Sequence, residues 1–135
     1  METIRTTYTG DLRTEAIHVK SQVKIFTDAP PDNQGKGESF SPTDLLAASL
    51  GSCMATLMGI AARTHGINID HMDLIITKIM AANPRRVAEV QIEFTMPEHS
   101  YSEKEKAILI HAAETCPVAL SLHPDLKQSI QFHWK

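Results

Sequence analysis

The feature that most constrains this chain is a long run of apolar and small residues at positions 40–65. Ser41 suits a helix N-cap, Pro42 suits the first helical position, and Asp44 places negative charge in the first turn. Gly66 directly follows the run and suits the position after a helix C-terminus. The run therefore predicts one helix, roughly 35 Å long at about 1.5 Å per residue.

The predicted helix is apolar or small on every side, so every side needs a cover. A chain of 135 residues can hardly surround it alone, and we infer a homodimer in which two such helices share one core. A membrane span is the competing interpretation, but the uncharged run between Asp44 and Arg63 only just reaches the threshold of about 18 residues. Its many small residues, and flanks without an aromatic belt, favour a buried helix and no membrane partner.

Composition places the chain among ordinary globular proteins. Hydrophobic residues make up 42% of it and the net charge is -3, which argues against disorder and against a nucleic-acid partner. By length we expect a single domain over residues 1–135. Residues 1–10 are polar and do not form a secretory signal, so we expect a cytoplasmic protein. In a reducing compartment, its two cysteines would be free thiols or a redox pair.

The remaining chain predicts strands on both sides of the long helix. Five segments are rich in strand-forming residues or alternate in polarity: 1–9, 12–27, 67–80, 87–96 and 128–134. Gly10 and Asp11 predict a tight hairpin turn. Ser102 and Glu105 match a capping box that begins a second helix, and Pro117 can open a short third one. This order of elements predicts an α+β fold.

The two cysteines are the candidates for chemistry, and each has an unreactive alternative. Cys53 lies near the middle of the long helix, where a cysteine is more often a small buried hydrophobe than a reactive thiol. Cys116 lies at the predicted N-cap of the third helix, where free N–H groups favour a thiolate. A simple cap or a buried filler is its alternative. The chain has no C-x-x-C motif and no tight Cys/His cluster, so we expect no metal site.

Two segments around these cysteines carry a family resemblance. The sequences S-P-T-D-L-L-A-A-S-L-G-S-C-M-A at residues 41–55 and E-T-C-P-V at residues 114–118 resemble the superfamily of osmotically inducible protein C (OsmC) and organic hydroperoxide resistance protein (Ohr). The resemblance covers essentially the whole chain in element order. It implies an intertwined homodimer, with antiparallel sheets wrapped around the long central helices and active sites at the subunit interface.

The resemblance also implies an activity, the thiol-dependent reduction of organic hydroperoxides. Cys53 would be the peroxidatic thiolate that attacks the peroxide and becomes a sulfenic acid. Cys116 would resolve it as a disulfide, which an external dithiol then reduces. No metal or organic cofactor is implied.

The resemblance further implies a charged partner for the reacting sulfur. Arg13, in G-D-L-R, matches the arginine of catalytic members, although an exposed strand arginine is the alternative from local sequence. The glutamate that pairs with this arginine in the family is replaced by Thr43. Asp44 is adjacent but points about 100° away around the helix. Glu38 can substitute if its loop folds inward. The missing glutamate keeps open a second function, a non-enzymatic dimer that binds a small ligand or senses redox state.

Overall fold

In a computed structural model that describes residues 1–135, the chain folds into two compact units, Met1–Leu46 and Ala47–Lys135. The fold is α+β, as the sequence predicted, with two small sheets and one long helix. The prediction of one OsmC-like domain over the whole chain stays a prediction.

The first unit contains an antiparallel sheet with strand order β1-β2-β3, whose strands are β1 (Ile4–Gly10), β2 (Arg13–His18) and β3 (Lys24–Asp28). Asp11 and Leu12 have φ angles of 54° and 62°, which is the left-handed turn that matches the twist of a hairpin. The turn therefore lies one residue later than the predicted Gly10-Asp11 pair. The pairing of β2 with β3 places Arg13 opposite Asp28.

The long helix α1 (Pro42–His65) begins in the first unit with the cap that the sequence predicted. Ser41 Oγ accepts a hydrogen bond from the Asp44 backbone N–H at 3.0 Å. The Asp44 carboxylate in turn accepts one from the Ser41 N–H at 3.0 Å. These reciprocal bonds satisfy two donors that the first helical turn would otherwise leave unpaired.

In the second unit, only one stripe of α1 is covered. Gly51 lies so close to β4 (Asp73–Ala81) that a Cβ added to it would overlap the Ile76 side chain. On another side of the helix, Ile60 remains 56% exposed. The buried residues recur every three or four positions: Ala47, Leu50, Gly51, Met54, Met58 and Ala62. By length and composition alone the helix could also cross a membrane, a test that core helices of soluble proteins pass as well.

The second unit contains a sheet with strand order β4-β5-β6, in which β5 is Arg86–Thr95 and β6 is Lys127–His133. β4 and β5 are antiparallel, whereas β5 and β6 are parallel. The expectation of purely antiparallel sheets is therefore wrong for this pair. Parallel neighbours need a long crossover connection, and two helices between β5 and β6 supply it.

A bulge in β5 changes which of its side chains are buried. Ile79 pairs with Glu89 but Met80 pairs with Val87, so one residue of β5 is left over. Strict alternation along β5 would place Val87 on the same side as Glu89 and Gln91. The structure buries Val87 beside Val90, because the bulge shifts the alternation by one residue.

Two helices connect β5 to β6, namely α2 (Glu103–Glu114) and α3 (Pro117–Ser121). The predicted capping box of α2 is present, since Ser102 Oγ accepts from the Glu105 N–H at 3.1 Å and the Glu105 carboxylate accepts from the Ser102 N–H at 2.9 Å. α3 begins at Pro117, as predicted. This short helix positions the second cysteine.

Candidate active site

Cys116 is the N-cap of α3. Its backbone is extended, with φ -68° and ψ 151°, because a residue that precedes proline avoids the helical region. Its Sγ accepts a hydrogen bond from the Ala119 backbone N–H at 3.4 Å. The residue is completely buried. A sulfur therefore occupies the place that a hydroxyl or carboxylate oxygen usually takes at a helix N-terminus.

The structure brings Cys53, on α1, into contact with Cys116, although the two residues are remote in sequence. Burial raises the pKa of the Cys116 thiol, and a hydrogen bond with the Cys53 thiol raises it further, while the Ala119 N–H opposes both. Both cysteines are free, and Cys53 is only partly buried. Two sulfurs in contact can be joined by a disulfide with little backbone movement.

A cavity of about 480 Å³ lies in the same unit. Its lining includes one residue that is close in sequence to each cysteine. Met54 follows Cys53 on α1, and Glu114 precedes Cys116 by two positions. The wall is completed by Gln128, Ser129 and Ile130. Volumes of this size accommodate small organic molecules.

Arg13 lies in the first unit, within a cluster of carboxylates. Its Nε donates to Asp28 Oδ1 at 2.7 Å and its Nη2 donates to Asp28 Oδ2 at 2.9 Å. Nη2 also donates to Glu38 Oε1 at 2.9 Å. These hydrogen bonds raise the pKa of Arg13 and hold the pKa of Asp28 below its usual value, against the effect of burial. Arg13 and Asp28 are therefore both ionised near neutral pH.

The three candidates for the carboxylate partner of Arg13 have different surroundings. Glu38 forms an ion pair with Arg13 from the loop between β3 and α1. The loop therefore folds inward, which is the condition for Glu38 to take the place of the family glutamate. Asp44 accepts from the Ser41 N–H in the cap of α1. The Thr43 hydroxyl is hydrogen-bonded to Ser41 Oγ at 3.2 Å.

Sequence reasoning missed Asp28, which binds Arg13 through both carboxylate oxygens. Asp28 is the last residue of β3 and lies one position beyond the strand segment predicted over residues 12–27. The register that pairs Glu15 with Phe26 also places Arg13 opposite Asp28, and no local pattern in the sequence sets that register. Opposite charges at paired positions stabilise neighbouring strands.

Both the sequence and the fold of this chain are similar to those of known proteins. A sequence model of the OsmC-like protein family matches residues 35–131. A protein of Psychrobacter arcticus, whose name refers to osmotic stress and a detoxification response, is 54% identical, with a TM-score of 0.94 over 98% of this chain and 96% of that one. An OsmC-like protein of Mycoplasma pneumoniae is 23% identical, with a TM-score of 0.78 over 97% and 94% of the two chains. No curated protein matches.

The chain belongs to the OsmC-like protein family, because the family model covers most of it. The fold extends to more distant proteins that carry a functional name. The organic hydroperoxide resistance protein OsmC of Legionella pneumophila is 16% identical, with a TM-score of 0.77 over 98% of this chain and 97% of that one. At this level of identity, the likeness establishes the shared fold alone.

Proposed function

We propose that this protein reduces organic hydroperoxides through Cys53 and Cys116, using an external dithiol as the reductant. The observation that carries the proposal is the contact between the two thiols, one partly exposed and the other completely buried. Family membership supports it, since structural relatives include proteins named for hydroperoxide resistance. In this proposal the accessible sulfur of Cys53 reacts with the peroxide, and the buried sulfur of Cys116 reacts afterwards with Cys53.

The first step forms the oxidised sulfur. The Cys53 thiolate attacks the terminal oxygen of the hydroperoxide, so that a sulfur–oxygen bond forms and the oxygen–oxygen bond breaks. The alkoxide takes up a proton and leaves as an alcohol, and Cys53 becomes a sulfenic acid. We assign to Arg13 the stabilisation of developing negative charge in this step, with Glu38 in place of the family glutamate.

The second step closes a disulfide. Cys116 loses its proton and attacks the Cys53 sulfur, and the hydroxyl group of the sulfenic acid leaves as water. The raised pKa keeps Cys116 neutral before this step, so that it does not compete for peroxide. The Ala119 N–H stabilises the charge that develops on Cys116 as its proton leaves. An external dithiol then reduces the disulfide and is itself oxidised to one.

We also propose that the protein is a homodimer and acts in the cytoplasm, where reducing thiols are abundant. Four large apolar side chains of the second unit are exposed in a single chain: Ile60 by 56%, Ile75 by 61%, Ile79 by 37% and Leu120 by 71%. We propose that a second copy of the chain covers them, since contiguous apolar surface is typical of an association interface. Light scattering coupled to size exclusion should give twice the mass of the chain, and a monomeric mass would contradict the proposal.

Consumption of cumene hydroperoxide in the presence of dithiothreitol tests the peroxidase activity. We expect Cys53→Ser to reduce turnover to the rate of dithiothreitol alone. In the absence of dithiothreitol, Cys116→Ser should be oxidised once and should stop at a Cys53 sulfenic acid, detected as its dimedone adduct. Each cysteine variant is the control for the other, because the chain has only two cysteines. A wild-type protein that consumes no hydroperoxide with several dithiols would refute the activity.

The second candidate is a non-enzymatic dimer that binds a small ligand or senses redox state. The observation that favours it is Thr43, which stands where catalytic members carry glutamate. The cavity beside the cysteine segments would then hold the ligand. In this case Cys53 would be alkylated no faster than a free thiol, and peroxide consumption would be absent. A Cys53 that reacts faster than a free thiol near neutral pH favours catalysis instead.

A further inference from the structure

Asp28 is a buried carboxylate to which the family resemblance assigns no role. It is only 1% exposed, yet it accepts hydrogen bonds from three different donors. Two come from Nε and Nη2 of Arg13 at 2.7 and 2.9 Å, and the third comes from the Glu38 backbone N–H at 3.0 Å. Two parallel hydrogen bonds from Arg13 to the two carboxylate oxygens of Asp28 fix the plane of the guanidinium. A single contact to an exposed carboxylate would leave that plane free to rotate.

The loop between β3 and α1 is tied back onto Asp28. The Asp28 N–H donates to the Phe40 carbonyl at 3.1 Å, at the far end of the loop. The Gly37 N–H donates to the Ala29 carbonyl at 3.2 Å, which draws the residue before Glu38 towards the residue after Asp28. Glu38 is therefore presented to Arg13 although its side chain is 64% exposed. One carboxylate sets the position of both the arginine and its second partner.

The hydrogen bonds use only part of the guanidinium. Arginine has five N–H donors, one on Nε and two on each Nη nitrogen. Asp28 binds Nε and Nη2, and Glu38 binds Nη2 as well. Nη1 of Arg13 takes part in none of these bonds. Its two N–H groups are the donors that remain for a ligand.

We propose that Asp28 is a positioning residue for peroxide reduction: it locks Arg13 and Glu38 together, so that Nη1 of Arg13 is the donor that meets an oxygen of the hydroperoxide. The donation by Nη1 to the hydroperoxide rests on the proposed function. The positioning of Arg13 and Glu38 by Asp28 does not rest on it, because that positioning involves only these three side chains of the first unit. Misplacement of a substrate-binding group by about 1 Å can cost about 100-fold in rate.

A double-mutant cycle tests this role. The measured quantity is the rate constant for oxidation of the protein thiols by excess cumene hydroperoxide, which is obtainable even for slow variants. We expect Asp28→Asn to lower this rate constant by about 100-fold in the wild type and by less than about threefold in an Arg13→Ala background. Glu15→Gln is the matched control, because Glu15 pairs with Lys24 across the same strands at 3.2 Å. Equal losses in both backgrounds would overturn the proposal.

A second measurement separates the positioning role from the activity. Phenylglyoxal modifies accessible arginines, and peptide mapping gives the rate at Arg13 alone. Loss of the Asp28 carboxylate should increase this rate several-fold, while Glu15→Gln should leave it unchanged. If the wild type does not reduce peroxide, the proposed function fails, and this rate still decides the positioning role. An Arg13 rate that is the same in Asp28→Asn and wild type would refute the proposal in either case.

Discussion

Two regions of this molecule hold reactive groups in opposite ways. In the first unit, Arg13 forms ion pairs with two carboxylates, those of Asp28 and Glu38. In the second unit, the Cys53 and Cys116 thiols lie close enough to interact, and burial raises the pKa of Cys116. The first region depends on ionisation and the second on apolar packing. They should therefore respond to different perturbations, and the predictions below use this difference.

The largest effect is expected from the core around the thiols. Leu50 is completely buried on α1, one turn before Cys53. Leu50→Ala should lower the free energy of unfolding by about 2–5 kcal/mol, because the cavity that remains cannot collapse fully. Urea unfolding at fixed protein concentration measures this loss. Leu50→Met is the volume-conserving control and should cost less than about 1.5 kcal/mol. Equal losses for both variants would show that apolar packing does not hold this region.

The second effect concerns the difference between the two thiols. Iodoacetamide reacts with thiolates, and it should therefore alkylate Cys116 more slowly than Cys53. Burial raises the Cys116 pKa and also shields its sulfur. Peptide mapping after timed quenching measures both rates, and unfolding in urea should make them equal. Faster modification of Cys116 in the folded protein would reverse the assigned roles.

A smaller effect concerns the sulfur as a helix cap. Cys116→Ala removes the acceptor of the Ala119 N–H and should cost about 1 kcal/mol of unfolding free energy. Cys116→Ser restores an acceptor and should be closer to wild type. Thermal unfolding of both variants at the same concentration makes the comparison. Identical melting temperatures for the two variants would mean that the cap contributes nothing to stability.

The smallest expected effect is the loss, at acid pH, of the contribution of Asp28 to the free energy of unfolding. The pKa of Asp28 is lowered in the folded state by Arg13, so its contribution to stability is complete above its ordinary value of about 3.9. The contribution is lost as the pH falls through the lower folded-state value. The urea midpoint of Asp28→Asn should therefore lie below that of wild type near neutral pH, and the gap should narrow in acid. A gap that stays constant down to about pH 2 would exclude this linkage.

Local patterns were enough to predict the long helix, the caps at Ser41 and Ser102, and the N-cap position of Cys116. In each case, neighbouring residues determine the structure, through capping oxygens and the backbone restriction before proline. The contact between Cys53 and Cys116 was expected only from the family resemblance, since no local pattern brings remote residues together. The same resemblance identified Arg13 as a candidate.

Features that depend on strand pairing were not predicted. The parallel pairing of β6 with β5 follows from the path of the chain through α2 and α3, which no residue pattern records. The bulge that buries Val87 arises from the register of two strands. Asp28 was missed for the same reason, because its partner is set by the hairpin register and not by its neighbours. Prediction failed where long-range register decided the outcome.

The mass of the intact protein after one equivalent of organic hydroperoxide tests the central claim most directly. If the sulfurs of Cys53 and Cys116 act as one redox pair, the protein should lose two hydrogen atoms, and peptide mapping should find these residues joined. A protein that gains oxygen atoms on Cys53 while Cys116 stays free would contradict the account, as would a protein that does not react.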